Sequence, residues 1–187
     1  MNAAALVVPE VPAALALDVA RRWDGAPLPE LRARVSLSAA PDALWVEAGM
    51  AHQRAPRIPD APRDARVERL WEYDVVECFV VGADGRYLEL ELGAGGHYLA
   101  LAFDAPRRRA DDFARSDLAV AWRDDGDDWS ARCRVPRGWL PEPVARANAF
   151  AIAGGEFAVH APMGGARPDF HRPHAFPEVR VPSWERR

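Results

Sequence analysis

Groups able to do chemistry concentrate in Trp71-Glu72-Tyr73-Asp74-Val75-Val76-Glu77-Cys78-Phe79. Asp74 and Glu77 are three apart, so on a strand they point to opposite faces. Further on, Glu89 and Glu91 alternate with Leu88, Leu90 and Leu92. A three-residue hairpin loop at Ala83-Asp84-Gly85 puts Val76, Cys78 and Val80 on the leucine face. Glu77 and Phe79 then share the other face, with Glu77 near Glu91. Carboxylates placed opposite each other repel unless an arginine or a cation sits between them. Glu77 is therefore expected either to pair with an arginine, Arg134 or Arg69, or to face a ligand or metal. A one-residue slip would move it to the leucine face.

A second polar and aromatic segment is Arg167-Pro168-Asp169-Phe170-His171-Arg172-Pro173-His174-Ala175-Phe176. The apolar face of a sugar ring stacks on aromatic rings, while its hydroxyls meet carboxylates, imidazoles and guanidinium groups. The alternative is a loop that closes one end of the fold. Phe170 and Phe176 would then plug the core, and Asp169 would bond backbone. Taken with the first segment, the candidate ligand-binding residues are Trp71, Tyr73, Glu77, Arg167, Asp169, Phe170, His171 and His174. Trp71, Tyr73, Phe170, His171 and His174 would form the walls. Arg167 and Asp169 would bond hydroxyl or carboxylate groups.

No catalytic signature accompanies them. There is no glycine-rich phosphate loop after a strand, and no HExxH, CxxC or GxSxG. The spacing from Asp124 to Asp128 does not fit an EF-hand and reads as a solvated turn. No catalytic residue and no metal ligand is assigned. Binding is expected rather than catalysis, with a hydrolase using Asp169 and His171 as the contrasting reading.

The chain has 187 residues, which favours one domain over 1–187. Its 24 basic and 28 acidic residues give a net charge of −4, so nothing electrostatic calls for nucleic acid or an anionic membrane. All the basic residues are arginine. With the many alanines, this points to a GC-rich bacterial genome. Arg107-Arg108-Arg109, followed by Asp111-Asp112, reads as a solvated loop rather than a phosphate site. Cys78 and Cys133 fall in strand patterns and read as small buried hydrophobes, a disulfide between them being the lesser reading. The first twenty residues are broken by Pro9, Glu10, Pro12 and Asp18, so they make a poor signal peptide. A cytoplasmic protein is expected.

The positioning elements are strands. Leu31, Ala33, Val35, Leu37 and Ala39 alternate with polar residues, and Leu44 to Met50 returns after Pro41-Asp42. Residues 51–68 form a long irregular stretch rich in proline and arginine, of a length often functional. Strands follow at 74–81, 87–92 and 97–104. The turn Gly93-Ala94-Gly95-Gly96 sets Leu90 opposite Leu99 and Leu88 opposite Leu101. Leu88, Leu90, Leu99, Leu101, Val120 and Cys133 are expected in the core. Strands containing Leu118, Val120 and Trp122, then Trp129 to Val135, flank the turn at 124–128. A short helix is expected within 137–146, then a hairpin, 150–152 with 157–159, and a last strand at 178–181. About ten strands with regular turns predict an all-β, antiparallel two-sheet sandwich.

Leu70-Trp71-Glu72-Tyr73-Asp74…Glu77-Cys78-Phe79, Tyr87-Leu88-Glu89-Leu90, Gly96, Phe103-Asp104 and the late Pro168-Asp169-Phe170-His171 resemble the DOMON-like superfamily. That superfamily includes type-nine carbohydrate-binding modules and haem-binding cytochrome domains, and the nearer likeness is to small stand-alone bacterial members. The resemblance spans roughly residues 30–182. It implies a sandwich that binds a small molecule without catalysis, a saccharide held between aromatic rings in the first place and haem b as the alternative. Haem-binding relatives use a methionine with a histidine or lysine. Here no such residue matches a ligand position, which leaves Met50, His160 and His171 as candidates. Val75-Val76 also departs from the Cys-Phe of the nearer group.

Overall fold

The structure, a computed structural model, describes residues 4–51 and 54–185. Fourteen strands occur among them: β1 Leu6–Val7, β2 Leu15–Val19, β3 Arg21–Arg22, β4 Ala33–Ala40, β5 Ala43–Ala51, β6 Val75–Gly82, β7 Tyr87–Gly93, β8 Tyr98–Ala105, β9 Arg108–Asp111, β10 Val120–Asp124, β11 Asp128–Pro136, β12 Val144–Ala153, β13 Glu156–Val159 and β14 Val179–Arg180. They form an antiparallel five-stranded sheet, β10-β11-β5-β4-β2, and an antiparallel seven-stranded sheet, β3-β13-β12-β6-β7-β8-β9. A short parallel pair, β1 with β14, stands apart. The expected two-sheet sandwich is observed, with more strands than expected because β1, β2, β3 and β9 are short or start where the pattern is weak. The helix expected within 137–146 is a single 3-10 turn, Arg137–Trp139, and the chain is already strand from Val144.

Period two sorts each strand of the large sheet between two environments. Val76, Cys78, Val80, Leu88, Leu90 and Leu92 face the five-stranded sheet. There they meet Val35, Leu37, Val46, Trp129, Ala131, Cys133 and Val135 in the main core. The opposite face is also buried. Val75, Phe79, Val81, Tyr87, Leu99, Leu101, Phe103 and Phe150 form a second apolar cluster under Leu70, Phe170 and Phe176. The cover comes from two long segments, one before β6 and one after β13. The first is tied down at its middle, where the amide of Val67 donates to the Tyr98 carbonyl at 2.9 Å and the amide of Tyr98 donates to Ala65 at 3.1 Å. Cys78 and Cys133 are buried free thiols rather than a disulfide, and burial pushes both up to about 12.

The register of the second hairpin differs from expectation. Leu90 pairs with Ala100 and Leu88 with Ala102, while Leu99 faces Glu91 and Leu101 faces Glu89. The cause is the loop. Gly93 donates to the His97 carbonyl at 2.8 Å, so the loop is three residues, Ala94-Gly95-Gly96, closed by Gly96 at φ +79°. This repeats the loop at 83–85, where Gly85 has φ +85°. One residue fewer in the turn shifts the pairing by one, and Leu99 and Leu101 leave the leucine face for the glutamate face. Glycine is required at 96 on two counts: its φ is left-handed, and an added Cβ would lie 2.3 Å from Asp64 Oδ1 and from the Trp122 ring.

All six residues expected in the core are buried, though they divide between two cores. Leu90→Ala and Leu99→Ala are predicted to cost roughly 2–5 kcal/mol each in chemical denaturation, despite facing opposite sides of one sheet. An unchanged midpoint for Leu99→Ala would mean that the outer face is wet.

Candidate functional site

The covered outer face of the large sheet does not close completely. It leaves a cavity of about 380 Å³ lined by Trp71, Glu77, Glu89, Leu101, Phe103, Arg107, Arg109, Ile152, Phe157, Pro168, Asp169, Phe170 and His171. The strands supply the floor and the two loops supply the walls. Trp71 comes from the 3-10 turn Leu70–Glu72, entered through Arg69 in the left-handed conformation at φ 61°. Phe170 is anchored by stacking on Phe150, with ring centroids 4.2 Å apart. Tyr87 and Phe103 stack at 4.6 Å, and His171 packs edge-on against Phe79 and Phe103.

The floor is acidic: Glu77 and Glu89 line the cavity, and Glu91 is buried beside them. Glu77 faces Glu91 directly across β6 and β7, and Glu89 faces Phe79 two pairs along, on the same side. All three side chains are at least nine-tenths buried. No N–H or hydroxyl group from outside the row, among the described residues, reaches Glu89 Oε2 or either oxygen of Glu91, while the Glu89 and Glu91 side chains meet each other. Burial therefore pushes all three carboxyls up, and their mutual repulsion pushes Glu77 and Glu91 further. Glu89 is raised to about 7, with burial opposed by contact with Glu91 and by the charges of Arg109 and Arg107. Such a row resists ionisation. Neither arginine expected beside Glu77 is there. Arg134 pairs with Asp42 and Arg69 with Glu72. Glu77 faces the cavity instead.

Above the floor, a chain of hydrogen bonds holds His171. The Arg107 amide donates to the Tyr87 hydroxyl oxygen at 3.0 Å. The Tyr87 hydroxyl lies 2.8 Å from His171 Nδ1. The two groups share a hydrogen bond, either one donating according to the imidazole tautomer. Nε2 lies 3.8 Å from Glu89 Oε2, too far for a hydrogen bond. Burial lowers His171 to about 4, in keeping with the neutral ring. The rim is held by ion pairs: Arg107 with Asp169 at 2.6 Å and Arg109 with Glu68 at 2.9 Å.

Of the eight residues singled out from sequence, Trp71, Glu77, Asp169, Phe170 and His171 line this cavity. Three do not. Tyr73 lies under the Arg57 guanidinium, 5.7 Å from its ring centroid, and packs on the second core. Arg167 and His174 are exposed on the late loop. Asp169 also serves its own loop, since its Oδ1 accepts the His171 amide at 3.1 Å. Asp169 and His171 are not joined side chain to side chain, because His171 Nδ1 is taken by Tyr87. The arginine run is not a uniformly solvated loop: Arg108 pairs with Asp104 outside, but Arg107 and Arg109 border the cavity. The turn at 124–128 holds its own backbone, with the Gly126 amide bonded to Asp124. Among the described residues no three His, Cys, Asp or Glu side chains are arranged to hold a metal ion.

The candidate haem ligands do not converge. Met50 lies in the core between the sheets, His160 Nδ1 contacts the Asp18 carbonyl at 3.0 Å, and His171 sits on the outer face bonded to Tyr87. These residues do not fit a haem.

No family model matches the chain. Among curated proteins, it is 28% identical over 163 residues to the UPF0462 protein C4orf33 homolog of Rattus norvegicus, covering 80% of each chain. It is 25% identical over 162 residues to UPF0462 protein C4orf33 of Homo sapiens, covering 80% of this chain and 79% of that protein. These relatives are vertebrate and lend no support to a bacterial source. Among solved structures, a Bacteroides uniformis protein assigned to carbohydrate binding superposes with a TM-score of 0.70 at 15% identity, covering 95% of this chain and 97% of that one. A family 9 carbohydrate-binding module from Caldicellulosiruptor kristjanssonii superposes at 0.63 in its cellotriose complex, with 10% identity and 95% and 93% coverage. It superposes at 0.61 in its glucose complex, with 14% identity and 95% coverage of both chains. No helix among the described residues is long and apolar enough to cross a membrane. The chain has the β-sandwich fold of family 9 carbohydrate-binding modules and a distant sequence likeness to the vertebrate UPF0462 proteins.

Proposed function

We propose that the chain is a non-catalytic saccharide-binding domain and that the outer-face cavity is its site. The observation that carries this reading is the pairing of aromatic walls with polar groups in one recess. Trp71, Phe103, Phe157 and Phe170 supply rings, Glu77 and Glu89 supply carboxyls, and Arg107 and Arg109 border the mouth. Its volume is within the range of small-ligand pockets. A pyranose laid against Trp71 would bury its C–H face there and turn its hydroxyls to the carboxyls and to Asp169. Solved structures of the same fold include complexes with cellotriose and glucose, which supports a sugar as the ligand class. The His171 ring, hydrogen-bonded to Tyr87, orients the wall and sets its Nε2 beside Glu89, where a ligand hydroxyl could meet it.

The test is a glycan screen followed by calorimetry with the best ligand. Trp71→Ala is predicted to weaken binding at least tenfold, about 1.4 kcal/mol, with the fold verified separately. Trp45→Ala is the control. Trp45 lies in the five-stranded sheet under Arg132, 4.4 Å from its ring centroid, and its loss should leave binding unchanged. Full affinity in a folded Trp71→Ala protein would remove the site. Uptake of haem, seen as strong absorption at the blue edge of the visible, would overturn the saccharide reading.

A further inference from the structure

The cavity floor lacks positive charge. Three buried carboxyls lie side by side on β6 and β7, two of them, Glu77 and Glu89, lining the cavity, and the two nearby arginines reach Glu89 only from the rim, where each is ion-paired. Arg107 is bound to Asp169 and Arg109 to Glu68, both at the rim. The His171 ring stands 3.8 Å from Glu89, beyond hydrogen-bond reach, and its burial disfavours the charged form. Glu89 Oε2 is buried with no donor from outside the acid row and belongs to a side chain that lines the cavity. A buried acid without a cation is costly to ionise, and a row of three is costlier. A fold built only to bury this face could carry apolar residues at these positions, as it does at Phe79, Leu99 and Leu101 in the same layer.

We infer that the cavity takes a ligand bearing a primary amine, an amino sugar with a free ammonium group, which it seats between Glu77 and Glu89. This rests on the reading of the cavity as a saccharide site and adds the chemistry of its deepest contact. An ammonium is a compact charge with three donors and no acceptor, matched to a floor that offers acceptors once it ionises. The rings of Trp71, Phe103 and Phe170 border the same space and favour a cation near their faces. A divalent metal suits the floor less well, since the carboxyls are strung along two strands rather than gathered around one point. The sugar hydroxyls would remain at the mouth, by Asp169 and the two arginines.

Seating the ammonium has a measurable consequence. The floor holds protons in the free protein, so an incoming cation ionises a carboxyl and sends its proton to the buffer. Glu77, Glu89 and Glu91 from the sheet, with Glu68, Asp169, Arg107, Arg109 and His171 from the rim and walls, are the charged or titratable groups around it. Of these, the rim groups are already ion-paired and His171 is neutral.

The experiment is calorimetry at pH 6 in two buffers of different ionisation heat. The probes are glucosamine and galactosamine, their N-acetyl derivatives, glucose and galactose, and cyclohexylamine as a sugar-free amine. An amino sugar is expected to bind at least tenfold more tightly than its neutral and N-acetylated counterparts, and to release close to one proton. Glu77→Gln, which keeps the side-chain volume, should abolish that preference and the proton release. Equal binding of neutral and amino sugars without proton exchange would overturn the amine while leaving the saccharide reading intact. Cyclohexylamine binding as tightly as the amino sugars would keep the amine and overturn the saccharide reading. No binding by any probe would overturn both.

Discussion

A sheet that is buried on both faces must be covered twice, and that requirement organises this molecule. The seven-stranded sheet has only one partner sheet, so its outer face is left for loops to close. Val75, Phe79, Tyr87, Leu99, Phe103 and Phe150 make that face too apolar to leave in water. The long segments before β6 and after β13 therefore have an energetic role as well as a connecting one. They place Leu70, Phe170 and Phe176 on the exposed apolar rows. Where they fail to meet, the cavity remains, and every group in it is held by a strand below or an anchored loop above.

The same requirement explains the acid row. In a strand with one wet face, Glu77, Glu89 and Glu91 would be ordinary solvent residues. Under a cover they become three buried carboxyls that must share protons rather than charges. The neutral His171 fits beside them for the same reason, since a low-dielectric pocket disfavours charge on either partner. A ligand that brings charge or hydrogen-bond donors into this space meets groups prepared for it without repacking of the walls.

Much of this was legible in the residues. Strict alternation in Leu88 to Leu92, the loop at 83–85 and the proximity of Glu77 to Glu91 follow from period two and turn chemistry alone. The meeting of Trp71 with Asp169, Phe170 and His171 follows from two long loops in a sandwich. The register of the second hairpin did not follow, because Gly93 to Gly96 contains three glycines and the loop could close on three residues or four. Glu89 is not among the residues singled out, because alternation alone marks it only as lying on the face opposite the leucines. The signal that this face is also covered was present in Val75 to Val81 and Tyr98 to Phe103, which are nearly continuous apolar runs rather than alternating ones. Arg107 and Arg109 were hidden by their company, since a basic run followed by acids gives no hint that β9 folds back along the cavity rim.

The central claim is that this acid row is covered, and pH-dependent stability tests it most directly. Glu89, raised to about 7 in the folded chain against 4.5 for an ordinary glutamate, binds its proton more tightly folded than unfolded. Its contribution is complete below pH 4.5 and is lost as the pH rises through about 7, amounting to about 3 kcal/mol. Unfolding free energies of the native chain and of Glu89→Gln should therefore be compared from pH 4.5 to 8. The native chain is predicted to lose about 3 kcal/mol relative to the variant across that range. Parallel curves would show Glu89 titrating as a solvent-exposed acid, and the covered face, with the cavity it defines, would be contradicted.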